Sequence, residues 1–139
     1  MAVIIISKSF EETFNFGLKF AKTITPGTII AFFGDLGSGK TSLIKGIVKG
    51  LDSNNLVTSP TFAYLNIYNS IFPVYHFDLY RIKNINDFYS MGFQEYFNSD
   101  GVCLFEWAEK ILEILPKNSI KIKIDNINES ERKIIITNP

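Results

Sequence analysis

The sequence holds few of the residues that most often declare chemistry. There is one cysteine, Cys103, one histidine, His76, one tryptophan, Trp107, and a single pair of arginines, Arg81 and Arg132. A lone cysteine excludes an internal disulfide and fits a reducing compartment. Two arginines in so short a chain argue against a small-molecule kinase, whose lid brings guanidinium groups to the transferring phosphoryl. Acids and bases cancel to a formal net charge of +0 at pH 7, so no global field gathers nucleic acid. No hydrophobic run is long enough to span a membrane. The opening Met1-Ala2-Val3-Ile4-Ile5-Ile6 is too short for the core of a signal peptide, which points to the cytoplasm. Repeats, low-complexity tracts and linkers are lacking. The GTPase strings D-x-x-G and N-K-x-D do not occur, and Lys83-Asn84-Ile85-Asn86-Asp87 has the wrong order.

What is there is an ordinary globular composition. The 139 residues are 46% hydrophobic and 20% charged, which suits one domain spanning 1–139 with a core that needs no staples. Strand and helix patterns interleave. Val3 to Ser7 reads as a strand. Ser9 and Glu12 fit a capping box opening a helix, with Phe10, Phe14, Leu18 and Ala21 on one side, ended by Pro26-Gly27. Thr28 to Phe33 is a buried strand, followed by a helix that fades near Gly50 to Ser53. Phe62 to Tyr68 and Val74 to Leu79 read as strands, with Pro73 near the turn between them. Asn84 to Met91 reads as an Asn-capped helix, Val102 to Phe105 as a second buried strand, and Ala108 to Leu115 as a helix stopped by Pro116. Residues of about 119–137 suggest a closing antiparallel hairpin. The predicted fold class is α/β, a mixed sheet with a parallel core, antiparallel edge strands and helices on both faces, which together with the G-x-x-x-x-G-K-T stretch from Gly34 to Thr41 makes a single P-loop NTPase-like domain.

One stretch carries a specific chemistry. Gly34-Asp35-Leu36-Gly37-Ser38-Gly39-Lys40-Thr41 reads G-x-x-x-x-G-K-T, with Ser42 next in line. Glycines let backbone N–H groups turn inward around phosphate oxygens. The lysine reaches the β- and γ-phosphates, and the threonine hydroxyl ligates Mg²⁺. A strand before and a helix after give the motif its proper setting, because the helix N-terminus aims partial positive charge at the phosphates.

Hydrolysis also needs acids. Glu106 closes the apolar run Gly101-Val102-Cys103-Leu104-Phe105, which puts a carboxylate at a strand end where a metal would lie. In Tyr75-His76-Phe77-Asp78-Leu79-Tyr80-Arg81, strand alternation sets His76, Asp78 and Tyr80 on one face and Tyr75, Phe77 and Leu79 on the other. Two readings of the polar face stay open: a solvated surface, or a site in which Asp78 holds Mg²⁺ through water or orients the attacking water. His76 on its own reads as structural. Thr58-Ser59-Pro60-Thr61 is either a nucleotide-sensing switch or a turn leading into a strand, with Pro60 holding Ser59 extended. Trp107 reads as packing, as a gate or as a partner contact.

Taken together, the P-loop, Ser59-Pro60-Thr61-Phe62, His76-Phe77-Asp78-Leu79-Tyr80-Arg81, Glu95-Tyr96-Phe97 and Glu106-Trp107 resemble, in order, the TsaE family, also called YjeE or YdiB. The resemblance covers about Ser9 to Pro116. It implies a bacterial cytoplasmic ATPase that works with TsaB and TsaD. Together they make N6-threonylcarbamoyladenosine (t6A) beside the anticodon of tRNAs reading codons that begin with A. By motif position it implies phosphate binding by Lys40, Mg²⁺ binding by Thr41 and Glu106, and a further essential acid in Asp78. It also implies a switch at Thr58 to Thr61 and a place for Trp107 beside the nucleotide. ATP and Mg²⁺ are the implied ligands, and tRNA would be met through the partner complex. A small P-loop kinase and a nucleotide-gated interaction module with little turnover are the alternatives. The segment from Ala108 to Pro116 departs from the family pattern in reading as continuously helical, and the C-terminal hairpin carries no family motif.

Overall fold

A computed structural model describes residues 2–34, 39–51 and 64–139. Among these residues the chain forms one seven-stranded sheet, with helices on both faces. The strands are β1 (Ala2–Ser7), β2 (Ile29–Phe33), β3 (Leu65–Tyr68), β4 (Val74–Asp78), β5 (Val102–Glu106), β6 (Ile120–Asn126) and β7 (Arg132–Thr137). Their spatial order is β1-β7-β6-β2-β5-β4-β3. β6, β2, β5 and β4 run parallel, while β3 joins β4, β7 joins β6, and β1 joins β7, each antiparallel. The parallel core with antiparallel edges is therefore as the sequence predicts. The C-terminal hairpin does more than close the fold, because its first strand is built into the parallel core beside β2.

β2 is central because both of its faces are covered. Ile30 and Phe32 enter one core together with Leu104, Ile122 and the helical residues Leu43, Ile44 and Ile47. Ile29 and Ala31 enter the other, which is rich in aromatics: Phe77, Phe88, Phe93 and Phe105. Such two-sided burial explains the unbroken apolar run in β2.

Helices α1 (Phe10–Ala21) and α2 (Lys40–Gly50) pack tightly on each other over the first core. The buried residues of α1 are Thr13, Gly17 and Ala21, whereas Phe10 is exposed. Of the predicted apolar side of Phe10, Phe14, Leu18 and Ala21, Ala21 is buried as expected, Phe14 and Leu18 are half-buried, and Phe10 is the residue corrected. Small residues line the contact because the backbones nearly touch. A Cβ on Gly17 would lie 2.6 Å from the Leu43 carbonyl oxygen, and one on Gly46 would strike the Phe14 carbonyl oxygen. The cap is half as expected. Ser9 Oγ accepts from the Glu12 N–H at 3.0 Å, while Glu12 Oε1 accepts from the N–H of Lys8, one residue further back than in a capping box.

The second face is covered by α3 (Ile85–Ser90), capped by Asn84 as predicted, and by two 3₁₀ segments, Phe93–Asn98 and Ala108–Ile114. The latter replaces the helix expected over Ala108 to Leu115. Its backbone breaks at Ile111 (φ −125°, ψ 20°). Ala108 and Ile111 are both buried, and a three-residue period is what eclipses such positions on one face.

Candidate functional site

The candidate site lies at the carboxyl ends of the parallel strands, where the chain's neighbours of β2 diverge to β5 on one side and β6 on the other. Open α/β sheets gather ligands at such a switch point. β2 ends at Phe33, Gly34 follows with φ 137°, and α2 opens from Gly39, whose φ of 98° is a left-handed conformation suited to glycine. Asp35, Leu36, Gly37 and Ser38 of the motif lie outside the described residues, as do Thr58, Ser59, Pro60 and Thr61.

Lys40 begins α2 and is 6% exposed. Its ammonium donates to the Gly34 carbonyl at 2.9 Å and stands 4.4 Å from the centroid of the Trp107 ring. The lysine ammonium is thus held between Gly34 and Trp107 by one hydrogen bond and one cation–π contact. Thr41 and Ser42 occupy the first turn of α2, with the Thr41 side chain exposed.

The acids arrive from neighbouring strands. β5 pairs in register with β2, Phe32 opposite Glu106, and with β4, Asp78 opposite Glu106. Register partners in a parallel sheet share a face, so both carboxylates project on the α2 side. Asp78 Oδ1 accepts from the Tyr80 N–H at 3.0 Å, which turns the chain as it leaves β4. Glu106 is 8% exposed, and its Oε2 lies 2.6 Å from His76 Nε2. Tyr68 Oη lies 2.8 Å from His76 Nδ1. His76 is 2% exposed, so the solvated-face reading of His76, Asp78 and Tyr80 fails for this residue.

Trp107 has φ 59°, unusual for a bulky side chain. That turn ends β5 and starts the 3₁₀ segment, and the indole packs 4.9 Å from the Tyr80 ring as well as against Lys40. Of its three sequence readings, the structure adds a direct contact with the P-loop lysine.

Arg132 is a neighbour that the sequence pattern does not reveal. It is 4% exposed at the start of β7, and its Nε is 3.4 Å from where a Gly39 Cβ would be. Its guanidinium donates to the carbonyls of Asn128, Glu129 and Glu131 and lies 5.2 Å from the Phe10 ring. The hairpin without a family motif therefore packs Arg132 against Gly39, where α2 begins. Only the pairing of β7 with β1 and β6 brings it there, so no local signal announces it.

Among the described residues no three His, Cys, Asp or Glu side chains converge as a metal cage. Thr41 and Glu106 offer hydroxyl and carboxylate oxygens, the hard donors that Mg²⁺ accepts alongside phosphate and water. The donor set therefore fits that cation. Among the described residues no helix is long and apolar enough to cross a membrane.

Fold and site together define a nucleotide-binding protein of the P-loop NTPase type. A family model described as threonylcarbamoyl adenosine biosynthesis protein TsaE matches residues 7–134, and this chain belongs to the TsaE family. The tRNA threonylcarbamoyladenosine biosynthesis protein TsaE of Bacillus subtilis strain 168 is 40% identical over 128 residues, covering 91% of this chain and 80% of that protein. Its namesake in Treponema pallidum strain Nichols is 32% identical over 131 residues, covering 94% and 97%. Among solved structures, the crystal structure of Bacillus subtilis YdiB matches with a TM-score of 0.85 at 34% identity, covering 99% of this chain and 86% of that one.

Proposed function

We propose that this chain is a cytoplasmic Mg²⁺-dependent ATPase that supports t6A formation in tRNA together with a TsaB–TsaD complex. The observation that carries the ATPase reading is that Lys40 and Glu106 both lie at the carboxyl end of β2. The lysine sits on the loop carbonyl of Gly34, and the acid is paired in register with Phe32. Family membership carries the pathway reading.

In this reading the backbone of Gly34 to Ser42 surrounds the phosphates, and Lys40 exchanges its Gly34 bond for the β- and γ-phosphate oxygens. Thr41 and Glu106 would hold Mg²⁺, whose charge would offset that developing on the phosphates. Asp78, beside Glu106 in register, orients the attacking water. Thr58 to Thr61 and Trp107 respond to the nucleotide and meet the partners. Contact with tRNA runs through the complex, since the chain carries no net charge.

Reconstituted tRNA modification tests the proposal, using wild type, Lys40→Ala, Asp78→Ala and Glu106→Gln. Loss of t6A in Lys40→Ala with normal folding supports nucleotide dependence. A Lys40→Ala chain that sustains t6A refutes it and leaves a plain interaction module. Retained ATP binding with lost turnover is expected for Asp78→Ala and Glu106→Gln.

A further inference from the structure

His76 is buried beside Glu106 and has no part in binding or turning over the nucleotide as proposed. We propose that His76 is a positioning residue for Glu106, with Tyr68 setting the tautomer of its ring. The inference rests on the proposed role of Glu106 at the Mg²⁺–ATP site.

Three adjacent strands contribute one side chain each. Tyr68 closes β3, His76 sits mid-way along β4, and Glu106 ends β5. All three are at most 8% exposed, so each polar atom depends on a protein partner rather than on bulk water. Tyr68 Oη to His76 Nδ1 is 2.8 Å, and His76 Nε2 to Glu106 Oε2 is 2.6 Å. An ionised carboxylate only accepts, so Nε2 carries the hydrogen. The Nδ1 of a neutral ring then accepts from the Tyr68 hydroxyl. With a neutral ring the line has one direction, Tyr68 to His76 to Glu106.

A histidine buried for stability alone needs no such terminus. This line ends on the one acid that lies in register beside the P-loop strand. Engaging Oε2 restricts rotation of the carboxylate and leaves Oε1 for the cation or its bound water. Outer-shell groups of this kind orient the ligand and tune it. His76 itself touches neither nucleotide nor metal in this scheme.

His76 is the only histidine, so its ring nitrogens give one uncrowded set of ¹⁵N resonances. In the nucleotide-free wild type these are expected to report the Nε2–H tautomer, with the Nε2–H resonance shifting in Glu106→Gln. An Nδ1–H tautomer, or no response to Glu106→Gln, overturns the assignment whatever the protein does to ATP.

The second arm follows ATP turnover against Mg²⁺ concentration. His76→Leu is expected to lose about 10–100-fold in kcat or in Mg²⁺ affinity. ATP binding in EDTA, read from Trp107 fluorescence, is expected to change less than about twofold, since the lost term is not ground-state nucleotide binding. His76→Gln, whose amide N–H donates near the Nε2 position, recovers most of the loss. Equal kinetics for wild type and His76→Leu, or a glutamine variant no better than leucine, overturns the role. Should His76→Leu fail to fold, Tyr68→Phe decides. It is expected to disturb the tautomer and raise the Mg²⁺ requirement, and an unchanged ring and requirement overturn the proposal. A wild type indifferent to ATP refutes the ATPase reading. A wild type that turns over ATP with His76→Leu as its equal refutes the positioning role alone.

Discussion

Lys40 is held at two points, by the Gly34 carbonyl and by the Trp107 ring. Truncation therefore removes a charge-assisted contact worth about 1.5–3 kcal/mol, roughly 10–100-fold in affinity. Lys40→Ala is expected to weaken ATP binding by that factor. Trp107 is the only tryptophan, so its emission measures this directly. Glu106 and Asp78 are legible as acids at strand ends, because alternation and an apolar run suffice to place them there. The burial of His76 is not legible, since its partners lie 8 and 30 residues away and meet it only through strand pairing. Cys103 behaves as its apolar surroundings suggest. Burial pushes its thiol from 9.0 up to about 11, with Ser99 a smaller opposing influence. A raised thiol value means that the neutral form is favoured in the fold. Its contribution to stability is complete below pH 9.0 and is lost as pH rises through about 11. Alkylation of Cys103 near pH 8 is therefore expected to be far slower in the folded chain than in urea. Equal rates would show an open site.

At the scale of elements, the α1–α2 contact depends on glycines that the amphipathic pattern does not weigh. Gly17 and Gly46 sit where a Cβ would meet the opposing backbone. Gly46→Ala improves helix propensity, yet the contact dominates because a backbone carbonyl cannot step aside. The variant is expected to lose about 1–3 kcal/mol by urea unfolding. A gain in stability would mean that the helices part freely. The predicted face of α1 holds at Ala21 but misses at Phe10 and overlooks Thr13 and Gly17, because it follows large residues, whereas close approach selects small ones. The 3₁₀ segment after Trp107 differs from the expected helix for a related reason. Its start is set by the left-handed turn at Trp107, and its buried residues fall three apart. The strands were more readily legible, since two-sided burial writes an apolar run into β2 and β5.

For the whole molecule, the sheet order makes the site an assembly of distant segments. β5 supplies Glu106, β4 supplies Asp78, and β7 sets Arg132 against Gly39. Arg132 is engaged with the carbonyls of its own hairpin turn beside Gly39, so it fits a brace at the start of α2 better than a finger on the phosphates. The isolated chain is therefore expected to hydrolyse ATP slowly, with partner contact completing the site. Where an arginine is supplied in trans, the gain is about 10³–10⁵ in rate. Turnover measured with and without TsaB–TsaD tests this, and equal rates would remove the idea.

The sequence by itself determined the α/β class, the phosphate loop, the acids at strand ends and the family. Each of these is written in residue types over a short span, where local sterics and hydrogen bonding act. Tertiary structure alone decided that β6 lies inside the parallel core and that the two glycine-faced helices touch. It also decided that Arg132 buttresses Gly39 and that Tyr68, His76 and Glu106 join. Those facts depend on which strands become neighbours and in what register, and that choice is made by long-range burial that no local pattern encodes.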